Sequence, residues 1–253
     1  MRKVFIIGIG AGNPDYVTIQ AVNALNEVDV FFTPDKGTEK DALRKLRIDI
    51  CERFIKDKSY RFIHMKRPER EAASSDYKSS VDEWHKRIEE DYESLLSEEL
   101  HENECGAFLV WGDPTLYDST LRIIDRICAK PDFALEYEVI PGISAVQALA
   151  ARHRIALNRI GESICITTGR KLAEGFPNNI DSIVVLLDGD QAFKTVGGND
   201  LDIYWGAYIG TEDEVLVAGR LSEVMDDIER IRAERRRQIG WIMDSYLLRK
   251  LEK

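Results

Sequence analysis

The sequence has 253 residues, of which 44% are hydrophobic and 32% charged, and its formal net charge is -10. This composition is typical of a globular protein with one large or two small domains, and no apolar run reaches the roughly 18 residues that predict a transmembrane helix. The negative charge argues against general nucleic-acid binding, which requires neutralisation of phosphates, but it leaves room for a local basic site.

An apolar stretch at residues 4–7 predicts the first strand of the chain. It is too short for the hydrophobic region of a signal peptide, and no small-residue cleavage site follows it, so we expect a cytoplasmic protein. A glycine-rich loop over residues 8–12 ends this strand. Apolar residues at helical spacing then predict a helix from Thr18 to about Val28.

The glycine-rich loop approaches the G-x-G-x-x-G fingerprint of dinucleotide-binding proteins without matching it. Gly8 and Gly10 fit, but Asn13 stands at the position of the third glycine and Pro14 delays the next helix. In the fingerprint, the helix begins directly at the pyrophosphate. A nucleotide-dependent oxidoreductase is therefore the less favoured interpretation.

The next part of the chain alternates further strand and helix patterns. They are a strand at 28–33 that ends at Pro34-Asp35-Lys36-Gly37, a helix at 40–54, a strand at 60–65, a polar connection at 66–80 and a helix at 81–100. Basic residues outnumber acidic ones between positions 36 and 47. A solvated helix face is the usual explanation of such a run, and a site for an anionic ligand is the alternative.

The segment around Trp111 has the pattern of a buried parallel strand followed by a turn. Residues 108–111 are large and apolar, and Gly112-Asp113-Pro114 breaks the strand. Ligands of open parallel sheets bind at the carboxyl ends of the strands, and glycine lets the backbone approach a ligand closely. The sequence then predicts a helix from Leu116 to Cys128, and Ser119 or Thr120 can satisfy free amides near this helix.

The two halves of the chain differ in pattern. A strand at 135–140 and a helix from Ser144 complete five strands alternating with helices, which predicts a parallel sheet in an N-terminal α/β domain of residues 1–150. The second half has strands at 163–168, 183–187, 201–209 and 215–218, a helix at 222–237 and an apolar segment at 240–248. The short loop between its third and fourth strands predicts a hairpin, and hence a mixed sheet in a C-terminal α/β domain of residues 151–253.

The cysteines and histidines are too widely spaced to indicate a metal site or a disulfide framework. The four cysteines form no C-x-x-C pair, and no two of the four histidines are separated by four positions. We therefore expect reduced thiols and no metal.

Three motifs stand together in the order and spacing of one family. They are Gly8-x-Gly10-x-Gly12-x-Pro14, Gly112-Asp113-Pro114-x-x-Tyr117 and Pro141-Gly142-Ile143-Ser144-Ala145. On these motifs the chain resembles the tetrapyrrole methylase family over nearly its whole length. Residues 35–37, Trp111, residues 205–208 and residues 240–249 resemble the branch that methylates carbon 1 of a corrin precursor and removes its acetyl group.

The resemblance implies two α/β domains with S-adenosylmethionine in the cleft between them, within a homodimer. By similarity, the cofactor-binding residues would be Ala11, Gly112, Asp113, Leu116, Tyr117, Ser144, Ala145, Leu187, Asp188 and Gly206. Many relatives carry Pro at the position of Ala11 and Asp at that of Asn13, so we expect a less rigid first loop here.

The resemblance also implies two chemical tasks, methyl transfer and loss of the acetyl group as acetate. The second task needs water and a proton shuttle, and Asp35 and Lys36 at the end of the second strand are the candidate catalytic residues, with an ordinary turn as the alternative. The polycarboxylate tetrapyrrole substrate could pair with Lys36, Lys40, Arg67, Arg70, Arg152 and Arg170. Another precorrin methyltransferase, diphthine synthase and a non-catalytic cofactor-binding relative remain alternatives.

Overall fold

The computed structural model describes residues 2–35, 41–66, 77–197 and 200–251. The chain divides into two compact units, the first made of Met1–Gly10 and Pro14–Ile143 and the second of Ala11–Asn13 and Ser144–Lys253. A boundary after residue 150, as expected above, would cut the helix Ala145–His153. Among the described residues, no helix is both long and apolar enough to cross a membrane.

The first unit contains a five-stranded parallel sheet flanked by helices, as the sequence predicted. Its elements are β1 (Arg2–Gly8), α1 (Ile19–Leu25), β2 (Val30–Asp35), α2 (Asp41–Phe54), β3 (Arg61–Lys66), α3 (Tyr77–Glu99), β4 (Cys105–Val110), α4 (Thr120–Cys128) and β5 (Leu135–Ile140). The strand order is β3-β2-β4-β1-β5, and the strand pairs are all parallel.

The strands of the first unit are buried on both faces. In β1, Val4 and Ile6 pack on one face with residues of α3 and α4, while Phe5 and Ile7 pack on the other with residues of α1 and α2. Alternate side chains of a strand point to opposite faces. This explains why β1 and β4 are continuous apolar runs in the sequence.

The second unit contains a mixed five-stranded sheet, also as predicted. Its elements are α5 (Ala145–His153), β6 (Ile164–Thr168), α6 (Gly169–Leu172), β7 (Ser182–Leu186), β8 (Leu201–Ala207), β9 (Val215–Arg220), α7 (Leu221–Ile239) and β10 (Asp244–Lys250). The order is β6-β7-β10-β8-β9, in which β6 and β7 are parallel and the other pairs antiparallel. Trp205 and Tyr246 are fully buried at its centre.

Helix α4 begins later than the sequence indicated, at Thr120. The amide of Leu116 donates to the carbonyl of Asp113 at 3.2 Å, and Tyr117 has a left-handed φ of 55°, so residues 113–117 form a turn. The predicted hydroxyl cap is also absent here, because Ser119 makes no side-chain cap bond. The Asp118 carboxylate instead accepts a hydrogen bond from the amide of Thr120 at 2.7 Å.

Candidate functional site

Three glycine-containing corners meet at the carboxyl edge of the first sheet. Gly10 and Gly112 form a two-residue bridge, with the Gly112 amide donating to the Gly10 carbonyl at 2.8 Å. A Cβ on Gly8 would lie 2.6 Å from the Gly142 nitrogen and 2.8 Å from the Gly112 carbonyl oxygen. The loops after β1, β4 and β5 therefore contact one another through backbone atoms, and glycine is required for this close approach. We call this contact of Gly8, Gly10, Gly112 and Gly142 the glycine corner.

The Asp113 carboxylate stabilises this corner by hydrogen bonds to two turns. One carboxylate oxygen accepts from the Gly142 amide at 2.9 Å, and the other accepts from the amide of Thr115 at 2.8 Å and from its hydroxyl. Burial raises the pKa of Asp113, but these hydrogen bonds outweigh it and hold the pKa below its ordinary value. The carboxylate is thus ionised at neutral pH and ties the turn after β4 to the turn after β5.

Leu116 and Tyr117 complete the same turn in the first unit. Leu116 is half-buried, whereas Tyr117 is exposed and adopts the left-handed backbone. A left-handed conformation is costly for a large side chain and is found preferentially at functional positions. Tyr117 is therefore the residue of this turn whose geometry most favours a ligand-binding role.

The remaining predicted cofactor-binding residues, from Ala11 of the first loop to Gly206, belong to the second unit. A Cβ on Gly12 would overlap the carbonyl oxygen of Ile209, so Ala11–Asn13 lie against the loop after β8. Ser144 is the N-cap of α5, accepting from the Val146 amide at 3.2 Å and exchanging hydrogen bonds with Gln147 in a capping box. Ala145 is the first residue of this helix.

Leu187 and Asp188 follow β7 and differ sharply in exposure. Leu187 has a left-handed φ of 54° and is 69% exposed, whereas Asp188 is 5% exposed. The Asp188 carboxylate accepts from the Tyr246 hydroxyl at 2.6 Å and from the Ala192 amide at 2.7 Å. Asp188 therefore fixes the turn from inside while Leu187 is presented to the outside.

Arg232 of α7 supports this turn, a role that the sequence did not predict. Its guanidinium donates to the Asp188 carbonyl at 2.9 Å and to an Asp244 carboxylate oxygen at 2.9 Å, and the Trp205 indole donates to the same oxygen at 3.0 Å. Burial raises the pKa of Asp244, and the pairing with Arg232 and the bond from Trp205 offset only part of that effect.

Gly206 lies in the centre of the second sheet. It pairs with Ser245 of β10 and Leu216 of β9, and a Cβ on it would lie 3.0 Å from side-chain atoms of Ile209 and Leu149. The side-chain direction at this position is thus filled by protein atoms. Of the predicted cofactor-binding residues, Gly206 is the one whose surroundings are explained by packing alone.

Of the predicted catalytic pair, Asp35 is the last residue of β2. The backbone of Asp35 pairs with Lys66 of β3, and Lys36 lies outside the described residues. In the same ladder Thr33 pairs with His64, and the Thr33 hydroxyl oxygen lies 3.0 Å from His64 Nδ1. Neither residue can be identified from the sequence, because a lone histidine within a strand pattern carries no motif.

The basic residues proposed for the substrate divide into two groups. Lys36, Lys40, Arg67 and Arg70 lie outside the described residues. Arg152 binds Glu214, with Nε at 2.7 Å from a carboxylate oxygen, and Arg170 lies in α6. Within the described ranges, no three His, Cys, Asp or Glu residues are grouped so as to hold a metal ion.

Known proteins resemble this chain over nearly its whole length. The family described as Tetrapyrrole (Corrin/Porphyrin) Methylases matches residues 3–225. A relative from Sinorhizobium sp, named precorrin-6A synthase [deacetylating], is 53% identical over 250 residues, which cover 99% of this chain and 96% of the relative.

Solved structures give the same result. The crystal structure of a cobalamin synthesis related protein from Corynebacterium diphtheriae has a TM-score of 0.84 and 37% identity, with complete coverage of both chains. That of a uroporphyrin-III C-methyl transferase from Thermus thermophilus, complexed with S-adenyl homocysteine, has a TM-score of 0.55 and 16% identity, covering 97% of this chain and 96% of that one. The chain therefore belongs to the tetrapyrrole methylase family.

Proposed function

We propose that this protein is an S-adenosylmethionine-dependent C-methyltransferase that converts precorrin-5 into precorrin-6A. In this reaction carbon 1 of the macrocycle gains a methyl group and the acetyl group is lost as acetate, a step of aerobic cobalamin biosynthesis. The observation that carries the proposal is the 53% identity, over nearly the full length of both chains, to a protein named precorrin-6A synthase [deacetylating].

The cofactor-binding residues that we propose are those expected from the sequence. In the first unit they are Gly112, Asp113, Leu116 and Tyr117, and in the second they are Ala11, Ser144, Ala145, Leu187, Asp188 and Gly206. The glycine corner supports the first set, because side-chain-free backbone lets a ligand approach closely. When bound, S-adenosylmethionine supplies an electrophilic methyl group on a sulfonium.

Methyl transfer from a sulfonium needs little acid catalysis, because the leaving thioether is neutral. The protein's contribution is to hold the carbon nucleophile in line with the methyl group and to exclude water from it. Removal of the acetyl group does require water and proton transfer. We assign Asp35 and Lys36 to acetyl removal, and the basic residues Lys40, Arg67, Arg70, Arg152 and Arg170 to the carboxylates of the substrate.

The same proposal covers the location, the assembly and the partners of the protein. We propose a cytoplasmic homodimer that acts on a small tetrapyrrole and has no nucleic-acid or membrane partner. The net charge of -10 supports the exclusion of nucleic acid. The same charge repels a polycarboxylate substrate at long range, so binding has to depend on locally placed cations.

The decisive experiment supplies purified protein with precorrin-5 and methyl-labelled S-adenosylmethionine. Mass spectrometry should detect a product that has gained the labelled methyl group and lost the acetyl group, together with free acetate. A methylated product that retains the acetyl group would indicate another precorrin methyltransferase. Cofactor binding without a product from any precorrin would indicate a non-catalytic relative.

A further inference from the structure

The carboxyl ends of β2 and β3 carry a hydroxyl and imidazole pair that has no role in the assignments above. Thr33 and His64 are register partners in this ladder, and Thr33 Oγ1 lies 3.0 Å from His64 Nδ1. Thr33 is 4% exposed, whereas His64 is exposed. A buried hydroxyl therefore contacts the imidazole of an exposed histidine.

The hydrogen-bond partners of Thr33 favour one tautomer of the His64 imidazole. Thr33 Oγ1 also lies 3.3 Å from the carbonyl oxygen of Ile63. A carbonyl can only accept, so a hydroxyl hydrogen that is donated to Ile63 leaves the oxygen lone pair for Nδ1. Nδ1 then donates, and Nε2 keeps its lone pair. Within the described residues, Nδ1 is the ring nitrogen that is engaged.

The pair lies two residues before the ends of β2 and β3, towards the edge of the sheet where ligands of parallel sheets bind. Phe32, the residue before Thr33, is in register with Phe108 of β4, which comes four residues before Gly112. Neighbouring strands are about 4.8 Å apart, so β3 is separated from β4 by roughly 10 Å. Asp35, our candidate for acetyl removal, comes two residues after Thr33 on the same strand.

We propose that His64 acts together with Asp35 and Lys36 in acetyl removal, as the general base that takes the proton from water. This assignment rests on the proposed function. Nε2 accepts a proton from water as the water oxygen forms a bond to the acetyl carbonyl carbon. The bond between that carbon and carbon 1 of the macrocycle then breaks. Its electron pair stays on carbon 1, the carbonyl double bond forms again, and the acetyl group leaves as acetic acid, which ionises to acetate. Carbon 1 would then take the methyl group of the sulfonium, leaving a neutral thioether.

Histidine is chemically suited to this task. It is the side chain most often used as a general base, a role typically worth 100- to 10,000-fold in rate. Thr33 has a positioning role, because its oxygen selects the tautomer in which Nε2 is the base. The assignment therefore predicts separate consequences for the imidazole and for the hydroxyl that orients it.

The test measures acetate release, methyl transfer and the dissociation constant of S-adenosylmethionine for a set of matched variants. We expect His64→Ala to slow acetate release about 100-fold with unchanged cofactor affinity, and added imidazole to restore part of the rate. Thr33→Val should lower kcat roughly tenfold through loss of one orienting hydrogen bond, whereas Thr33→Ser should retain the wild-type rate. His101→Ala, an exposed histidine after α3, is the control.

The outcomes separate the two proposals. If the wild type forms the product and His64→Ala acts within about twofold of it, the assignment of His64 is overturned and the proposed function stands. A slow His64→Ala that imidazole does not rescue would also overturn it, since a structural role would explain the loss. If His64→Ala fails to fold, equal rates of the Thr33→Val and Thr33→Ser variants would overturn it. A wild type without product would reject the proposed function itself.

Discussion

Gly142 shows how strictly single residues are constrained at the carboxyl edge of the first sheet. A Cβ at this position would overlap the carbonyl oxygen of Gly112 and would lie 2.8 Å from backbone carbons of Gly8. Neither neighbour is a side chain that could move aside. We expect Gly142→Ala to lower the free energy of unfolding by about 1–3 kcal/mol, as overpacking does elsewhere, and to weaken S-adenosylmethionine binding.

Gly189→Ala is the matched control for the stability of Gly142→Ala. A Cβ on Gly189 would meet nothing within 4 Å, so its cost should stay within about 0.5 kcal/mol. Thermal unfolding and calorimetric titration measure the two effects. Equal stability of the two variants would show that the corner tolerates a side chain.

Asp113 and Asp35 are two aspartates for which we predict opposite effects. Asp113 accepts hydrogen bonds that hold the turn after β4 to Gly142, so Asp113→Ala should raise the dissociation constant of S-adenosylmethionine roughly tenfold. Asp35→Ala should leave this constant unchanged and slow acetate release at least roughly tenfold. Cofactor titration and product formation measured on the same preparations test both. If both variants bind and react as the wild type does, the assignment of these residues is wrong.

At the scale of elements, two helix caps separate stability from binding. Ser144 caps α5, and Thr18 caps α1 by accepting from the Ala21 amide at 3.1 Å. Each substitution by alanine should cost about 1 kcal/mol of stability. Only Ser144→Ala should also weaken S-adenosylmethionine binding, because Thr18 is not among the proposed cofactor-binding residues. Chemical denaturation and titration measure the two quantities, and weaker binding by Thr18→Ala would contradict the assignment.

Helix α7 offers a second matched pair. Arg232 and Asp244 are 7% and 6% exposed in their side chains, whereas Arg230 and Asp227 on the same helix are 64% and 62% exposed. Arg232→Met leaves a buried carboxylate without its cation, which should cost about 3–5 kcal/mol. Arg230→Met should cost less than about 1 kcal/mol, because solvent screens the exposed pair. Similar losses for both, measured by denaturant unfolding, would show that the buried network is not what holds the turn after β7.

These elements also show what local sequence patterns can and cannot predict. The Ser144 cap follows from a serine placed before a helical period. The late start of α4 was missed because Tyr117 takes a left-handed backbone that residue type disfavours. The Arg232 network was missed because its partners Asp188 and Asp244 come from other elements, and a charged residue on a helix is ordinarily solvated.

For the whole molecule, the type of each sheet could be predicted but the details of the site could not. Helical segments between apolar strands required parallel crossovers in the first unit, and the short loop after β8 required an antiparallel hairpin in the second. The three glycine motifs pointed to one edge because parallel strands end together. The pairing of Thr33 with His64 depends on the register of β2 against β3, which neither strand specifies alone.

The proposed cofactor also makes a prediction for the stability of the whole chain. A ligand that binds only the folded protein stabilises it by about 2.7 kcal/mol at 100 times its dissociation constant. For a chain of this size, that corresponds to a rise in Tm of roughly 5–10 °C. S-adenosylhomocysteine, which cannot donate a methyl group, should give this rise, whereas NADPH should give none because Asn13 and Pro14 break the dinucleotide fingerprint. Scanning calorimetry with each ligand measures these changes in Tm. A rise with NADPH and none with S-adenosylhomocysteine would contradict the proposed methyltransferase and favour the nucleotide-dependent oxidoreductase considered for the first glycine loop.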